Sequence, residues 1–175
     1  MPLDYTDYER RTANWLNGET MPSLYPGYDI ITQDGYKIQV KYARPYAGNR
    51  KATWNFNQGK LGCADFYVLF GLSDDGNEHC FLMPSNDFVK LSADNGKGGR
   101  IYQLNAQKIS LRGGARTSYY HNNRGWEYEV ENPEMNLYKR LTEYIRTLSL
   151  QPLREEVQRT EKIRPHILQN YLFEV

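Results

Sequence analysis

Residues 28–42 read YDIITQDGYKIQVKY, and this stretch predicts two β-strands joined by a tight turn. Asp34-Gly35 between two apolar runs is a strong hairpin signal, because glycine readily adopts the left-handed backbone that such turns need. After the turn, apolar Ile38 and Val40 alternate with polar residues, as expected for a strand with one buried face. We interpret the rest of the sequence around this hairpin.

The loop length decides which side chains share a face of the hairpin. A two-residue loop would place Asp29 opposite Val40 and mix polar with apolar groups on both faces. A three-residue loop over 33–35, ending in a left-handed glycine, instead pairs Asp29 with Gln39 and places Lys41 on the same face. The apolar pairs in that register are Tyr28–Val40 and Ile30–Ile38. A carboxylate, an amide and an ammonium group then converge on one patch of the sheet.

Asp29, Gln39 and Lys41 carry the groups that metal-assisted hydrolysis of a phosphodiester requires. Hard divalent cations such as Mg²⁺ bind a few fixed oxygen ligands and keep several waters. A metal-bound water loses its proton more easily, and the metal offsets charge on the phosphate. A nearby Lys can orient that water and stabilise the transition state. The alternative interpretation is a half-exposed polar sheet face without a catalytic role.

The order Asp29…Gln39-Val40-Lys41 resembles the active-site motif of the PD-(D/E)xK nuclease superfamily. Pro26 stands three residues before Asp29 instead of beside it, and Gln39 replaces the usual acid. The Gln-x-Lys pattern is similar to that of cyanobacterial group I intron homing endonucleases and of a few restriction enzymes. The resemblance implies a restriction-endonuclease-like fold of the α/β (α+β) class, with a central mixed β-sheet flanked by helices. It also implies Mg²⁺ or Mn²⁺ as cofactor and double-stranded DNA as substrate.

Residues 5–17 predict the first helix, which should end near Gly18. Glu9 lies on the same helix face as Tyr5, within an otherwise apolar stripe. Nucleases that resemble this chain often carry such a Glu on the first helix, pointed at the hairpin. The alternative is a capping box in which Glu9 bonds the backbone of Thr6.

The candidate catalytic residues therefore come from the first helix and the hairpin: Glu9, Asp29, Gln39 and Lys41. By the resemblance, Asp29, Gln39 and Glu9 are the metal ligands, and Lys41 acts on the attacking water. Gln39 supplies a neutral oxygen where the superfamily has a carboxylate, so the motif carries one fewer negative charge. Glu9 would restore that charge.

The 175 residues predict a single domain that contains an insertion at about 90–125 and ends in a helical tail over 150–175. The hydrophobic pattern predicts further elements at residues 65–70 (a buried central strand), 79–83 (a strand), 126–130 (a strand) and 132–148 (a helix). Residues 54–56 fit either a short strand or the start of a helix.

The formal net charge is +1, so the whole-chain balance neither favours nor excludes nucleic acid. The distribution is uneven, because all charged residues from 42 to 60 are basic and Asp94 is the one acid from 90 to 124. Such segregation is expected for a surface that meets a polyanion. The candidate DNA-contacting residues are Arg44, Arg50, Lys51, Lys60, Arg112, Arg116, Tyr119, His121 and Arg124. The alternative for residues 112–124 is a solvated loop.

These observations favour a metal-dependent, sequence-specific endonuclease for double-stranded DNA, either a homing endonuclease or a type II restriction enzyme. Two alternatives stay open: a non-catalytic DNA-binding protein on a nuclease-like fold, and a DNA repair nuclease or junction resolvase. Cutting both strands predicts a homodimer or homotetramer. The sequence shows no membrane segment, which predicts an intracellular, cytoplasmic protein of prokaryotic, phage or intron-encoded origin. Isolated Cys63 and Cys80 predict buried thiols.

Overall fold

The computed structural model describes residues 4–22, 25, 27–46, 53–59, 64–107 and 124–148. The chain divides into two compact units, residues 1–138 and 139–175. The first unit combines helices with two β-sheets, which is the α+β class that the sequence predicts. In the second unit, the described residues 139–148 are helical. Within the described part of the chain, no helix is both long enough and apolar enough to cross a lipid bilayer.

Helix α1 spans Tyr5–Trp15, close to the predicted bounds, but its cap differs from the one considered above. The Asp4 side chain accepts a hydrogen bond from the Asp7 backbone, and the Asp7 side chain accepts one from the Asp4 backbone. This reciprocal capping box satisfies two backbone N–H groups at the helix start. The alternative capping box between Thr6 and Glu9 is therefore wrong, and Glu9 is not needed to hold the helix end.

The described residues form nine strands: β1 Gly18–Thr20, β2 Ile30–Thr32, β3 Lys37–Ala43, β4 Pro45–Tyr46, β5 Thr53–Gln58, β6 Phe66–Leu72, β7 Glu78–Pro84, β8 Ala93–Asp94 and β9 Arg100–Asn105. The larger sheet has the spatial order β1-β2-β3-β6-β7. β6 runs parallel to β3, and the other neighbours are antiparallel. β6 confirms the predicted central strand, because it is buried and flanked on both sides. A second helix, α2, spans Ser85–Leu91.

The β2–β3 hairpin has the register that its sequence predicts. The cross-strand pairs are Ile30–Ile38 and Ile31–Lys37. The backbone N–H of Thr32 donates to the Tyr36 carbonyl at 2.9 Å and closes a three-residue loop, in which Gly35 has a φ of +84°. Continuing this register by one residue brings Asp29 opposite Gln39, and the two side chains are hydrogen-bonded. The hairpin therefore fixes the relative positions of the two polar groups.

The smaller sheet has the order β4-β5-β9-β8 and is built largely from segments that the sequence left open. Residues 54–56 belong to β5, and β8 and β9 come from the predicted insertion. The aromatic and aliphatic side chains buried between the two sheets include Trp54, Phe56, Tyr67, Leu69, Phe81, Tyr102 and Leu104. The first part of the insertion is thus part of the core, and residues 108–123 lie outside the described residues.

The prediction of a strand over 126–130 is wrong, because Arg124–Tyr128 form a 3-10 helix. The Trp126 ring is 7% exposed, and its indole N–H donates to a backbone carbonyl of β9 at 3.0 Å. The alternating apolar pattern of this segment therefore reflects one anchored aromatic side chain in a tight turn. Glu129 retains an isolated β-bridge to Phe81 at the edge of the larger sheet.

The remaining predictions have mixed outcomes. The helix predicted from residue 132 is present over 133–148. Cys80 is a buried free thiol, as predicted. Cys63 and the predicted helical tail over 150–175 lie outside the described residues.

Candidate active site

The four predicted catalytic residues line one pocket of the first unit, with a volume of about 490 Å³. The β2–β3 hairpin contributes Asp29, Gln39 and Lys41, because residues 39 and 41 share a face of β3 and the register brings Asp29 to it. Helix α1 contributes Tyr5 and Glu9, which are one helical turn apart. The rest of the described lining is Thr6, Arg10, Thr20, Met21, Pro22, Tyr25 and Tyr28.

Asp29 is held by three donors that converge on one of its oxygens. Its Oδ2 accepts hydrogen bonds from the Val40 backbone N–H at 2.7 Å, from the Tyr5 hydroxyl at 3.2 Å and from the Gln39 amide. None of these three bonds uses Oδ1. Burial raises the pKa of Asp29, and these donors together with Lys41 oppose the shift. The carboxylate is therefore fixed in one orientation while its second oxygen stays outside this set of bonds.

Gln39 is 5% exposed and is one of the few buried polar residues of the larger sheet. It lies on β3 opposite Tyr67 of the parallel strand β6. A buried amide needs a hydrogen-bond partner, and Asp29 supplies it.

Glu9 belongs to the same electrostatic group although it lies on a different element. Burial raises the pKa of Glu9 to about 7, the charge of Asp29 adds to that shift, and Lys41 opposes it. A carboxyl group with this pKa gains and loses a proton near neutral pH.

Lys41 is the cation of the group. Burial lowers the pKa of Lys41, and Asp29 and Glu9 oppose the shift. When Asp29, Glu9 and Lys41 are all ionised, these three groups carry a net charge of −1, and Arg10, which also lines the pocket, is paired with Asp7 at 2.5 Å. That balance favours an additional cation.

Sequence reasoning placed Tyr5 on the helix face of Glu9 but gave it no role in the site. The Tyr5 hydroxyl lies 2.7 Å from the Val40 carbonyl oxygen and 3.2 Å from Asp29 Oδ2. Burial and the neighbouring carboxylates raise the pKa of Tyr5, so the hydroxyl keeps its proton and acts as a donor. The one-turn spacing of Tyr5 and Glu9 was the signal that could have identified it.

The side-chain oxygens of Asp29, Glu9 and Gln39 are of the kind that hard divalent cations prefer. Among the described residues, no group of three or more His, Cys, Asp or Glu side chains could hold a metal ion. The carboxylates of Asp29 and Glu9 therefore need the amide oxygen of Gln39 as a third ligand atom. Mg²⁺ is commonly bound in this way, because it takes few protein oxygens and keeps several waters.

The predicted DNA-contacting residues fall mostly outside the described part of the chain. Arg44 is exposed directly after β3, and Arg124 is exposed at the start of the 3-10 helix. The others, which lie outside the described residues, are Arg50, Lys51, Lys60, Arg112, Arg116, Tyr119 and His121.

No protein-family model matches the sequence, and no curated protein matches it significantly. The function of the protein is therefore inferred from the geometry of the pocket.

Proposed function

We propose that this protein is a divalent-metal-dependent endonuclease that hydrolyses phosphodiester bonds in double-stranded DNA. The observation that carries the proposal is the convergence of Glu9, Asp29, Gln39 and Lys41 on one pocket. Burying ionisable groups together is costly, and perturbed pKa values in a pocket are typical of catalytic sites. A solvated polar sheet face would not bury an amide or raise the pKa of a carboxyl group to about 7.

The strand order of the larger sheet also supports the proposal. The hairpin β2–β3 is followed by a connection and then by the buried strand β6, which pairs in parallel with β3. That order of elements underlies the resemblance to the PD-(D/E)xK superfamily. Gln39 and Lys41 lie on β3, which pairs with β2 on one side and β6 on the other, and Asp29 directly precedes β2. Residues supported in this way hold their positions well.

The divalent cation, Mg²⁺ or Mn²⁺, would be held by Asp29, Glu9 and the Gln39 amide oxygen. When bound it supplies Lewis-acid activation of water and neutralises charge on the scissile phosphate. The Lys41 ammonium group stabilises negative charge that develops on the phosphate oxygens. Glu9 has a pKa of about 7 without a cation, so it must release this proton before it can serve as a ligand.

Tyr5 and the Val40 backbone N–H position Asp29. Both donate to Oδ2, which leaves Oδ1 as the oxygen turned away from these two donors. Holding a ligand by such supporting bonds is typical of metal sites, where their loss costs roughly 10–100-fold in affinity or activity. Tyr5 is thus a positioning residue in this proposal, whereas Asp29 is a catalytic residue.

The proposed enzyme acts as an oligomer. Cleaving both strands of a duplex requires two such sites, which a homodimer or homotetramer supplies with two-fold symmetry. A homing endonuclease and a type II restriction enzyme are the two roles that fit a small chain with the Gln-x-Lys pattern. Either would act inside the cell, in the cytoplasm.

Nicking of a supercoiled plasmid tests the proposal directly. We expect the protein to convert the plasmid to open-circular and linear forms with Mg²⁺, and to leave it intact with EDTA. The Lys41→Ala variant, purified in the same way, controls for a contaminating nuclease. Equal cleavage by this variant and by the wild type, or no cleavage by the wild type with either Mg²⁺ or Mn²⁺, would overturn the proposal.

A second candidate function is a non-catalytic DNA-binding protein. The observation that favours it is the Gln39 amide group donating to Asp29, since this bond gives the carboxylate a hydrogen-bond partner without any metal ion. Under this alternative the protein shifts a labelled duplex in a gel but leaves the plasmid intact at every metal concentration. The same plasmid assay, run beside a binding assay, therefore separates the two functions.

A further inference from the structure

Strands β5 and β9 are the two central, antiparallel strands of the smaller sheet, and their two faces differ chemically. The inner face carries the buried side chains Trp54, Phe56, Tyr102 and Leu104. Besides the buried Asn105, the outer face carries the carboxamides Asn55, Asn57 and Gln103, which we call the amide face. Asn57 and Gln103 are exposed, and Asn55 is partly buried. The register places Asn55 opposite Gln103 and Asn57 opposite Ile101.

The amide face is uncharged, which is unusual for the solvent side of a sheet. Neither β5 nor β9 contains an acidic residue, although charged side chains are common on exposed strands. A carboxylate would repel the phosphates of a nucleic acid, whereas a carboxamide presents one acceptor and two donors without charge. The amide face can therefore bind a molecule that offers hydrogen-bond donors and acceptors close to negatively charged groups.

One carboxamide is oriented by its neighbour. The Gln103 Nε2 donates to Asn55 Oδ1 at 3.2 Å across the two strands. This bond uses one of the two Nε2 hydrogens and leaves the other, together with Oε1, on the exposed side of Gln103. The remaining donor and acceptor lie side by side, which is the pairing that adenine presents at N7 and N6.

We propose that the amide face reads adenine bases in the major groove of DNA, with Asn57 and Gln103 as the reading residues and Asn55 as the residue that orients Gln103. This inference rests on the proposed function and names the part of the protein that would give it sequence specificity. Asn57 and Gln103 are exposed on the solvent side of the sheet, and the B-form major groove, about 12 Å wide, presents the N7 and N6 groups of adenine to such side chains. The deep, narrow major groove of an RNA duplex does not admit them.

The register also predicts the spacing of the recognised bases. Asn57 and Gln103 are diagonal neighbours on β5 and β9. Asn57 pairs with Ile101, and Gln103 lies two residues further along β9. Diagonal neighbours are about 7–8 Å apart, which is close to two base-pair steps of about 3.4 Å. The preferred adenines are therefore two base pairs apart.

Selection from a randomised duplex library, read by sequencing, tests this assignment. The wild type is expected to enrich adenine at two positions. Asn57→Ala and Gln103→Ala are each expected to lose the preference at one position by about 5- to 150-fold, the range for one bidentate contact. Asn86→Ala, which removes an exposed carboxamide from α2, is the matched control and should leave both preferences unchanged.

Two further measurements keep the test independent of folding defects. Gln103→Glu preserves the size of the side chain, and a carboxylate accepts from the amino group of cytosine. This variant should therefore shift its preference from adenine towards cytosine. The adenine whose selection depends on Gln103 can be replaced by 7-deazaadenine. This replacement should weaken wild-type binding and leave Gln103→Ala binding unchanged, because the base change and the substitution remove the same contact.

The outcomes separate this inference from the proposed function. If the wild type cuts DNA and the Asn57→Ala/Gln103→Ala double variant keeps the wild-type base preference, the amide face is not the reading surface and the nuclease proposal stands. Cleavage without any base preference overturns the amide-face inference in the same way. If the wild type neither binds nor cuts any duplex, both proposals are wrong.

Discussion

The two sheets of the first unit differ in how far their polar side chains are exposed to solvent. The larger sheet keeps Asp29, Gln39 and Lys41 in a pocket where burial shifts the pKa of the ionisable groups. The smaller sheet buries its apolar face and turns Asn57 and Gln103 to solvent. Removing a buried charged group changes the chemistry of its neighbours, whereas an exposed carboxamide can be replaced with little cost to the fold. The pocket residues are therefore constrained by their surroundings, whereas the exposed residues of the amide face are free to vary.

The largest expected effect is the loss of cleavage when a charged group of the pocket is neutralised. We expect Asp29→Asn and Lys41→Met to lower the Mg²⁺-dependent rate of plasmid cleavage by about 10³-fold. Binding to a labelled duplex should change much less, because neither substitution touches the exposed surface. The matched controls are Asp34→Asn at the hairpin turn and Lys90→Met on α2, both exposed.

A near-wild-type rate for either pocket variant would show that the site is assigned to the wrong residues. A rate loss of the same size in the exposed controls would remove the contrast between buried and exposed charges.

The second prediction concerns Glu9 and pH. We expect Glu9→Gln to lower the cleavage rate by roughly 10²-fold. The wild-type rate should also rise as the pH increases through about 7, because Glu9 must lose its proton to bind a cation. Rates measured between pH 5.5 and pH 8.5 at fixed Mg²⁺ test this, and a pH profile for Glu9→Gln identical to that of the wild type would contradict it.

The same residue predicts a pH dependence of stability in the absence of metal. The folded-state pKa of Glu9 is about 7, above its ordinary value of 4.5. The folded chain therefore holds this proton more tightly than the unfolded chain, and the contribution of Glu9 to stability falls as the pH rises from 4.5 to about 7. Urea denaturation in EDTA should show Glu9→Gln gaining stability relative to the wild type between pH 5 and pH 8. The exposed control Glu134→Gln should not show that trend.

A smaller effect is expected at Tyr5. Tyr5→Phe removes the hydroxyl whose one proton is shared between the Val40 carbonyl at 2.7 Å and Asp29 Oδ2 at 3.2 Å. We expect the cleavage rate to fall roughly 10-fold and the Mg²⁺ concentration for half-maximal rate to rise. Tyr138→Phe, which alters an exposed tyrosine, is the control. An unchanged Mg²⁺ dependence in Tyr5→Phe would mean that the hydroxyl serves only the fold.

The smallest effect on catalysis is expected at the cap of α1. Asp4→Ala breaks the reciprocal bonds with Asp7 and should lower the free energy of unfolding by about 1 kcal/mol. The cleavage rate at 20 °C should remain at the wild-type value, since neither aspartate lines the pocket. This pattern is the reverse of the one expected for Glu9→Gln, and measuring both variants in one urea series sharpens the contrast.

The features that the sequence predicts well are those fixed by neighbouring residues. The hairpin register follows from a local choice of loop length, and Asp34-Gly35 with the apolar spacing determines that choice. The buried strand β6 also follows from its own composition. Three of the candidate residues lie on this hairpin, so their mutual placement could be predicted before any tertiary contact was known.

The features that the sequence does not predict depend on distant partners. Trp126 is held in a 3-10 helix by the backbone of β9 and by packing against Phe81, and nothing in residues 126–130 distinguishes that from a strand. The smaller sheet forms only when β5 pairs with β9. From the sequence, the residues of β9 are assigned to an insertion, and this pairing is not predicted. Tyr5 was missed because its partners, Asp29 and Val40, become neighbours only when α1 packs on the hairpin.

The sequence distances within these two sheets have a consequence for the order of folding. Asp29 and Gln39 are 10 residues apart, and hairpins of this kind form in about 1–10 μs. Asn55 and Gln103 are 48 residues apart, so their pairing requires the closure of a long loop, and non-local pairing is slow. We expect the polar groups of the pocket to be placed early during folding and the amide face to be completed late. A nascent chain would then place the Asp29 carboxylate against Gln39 before the two strands of the amide face have met.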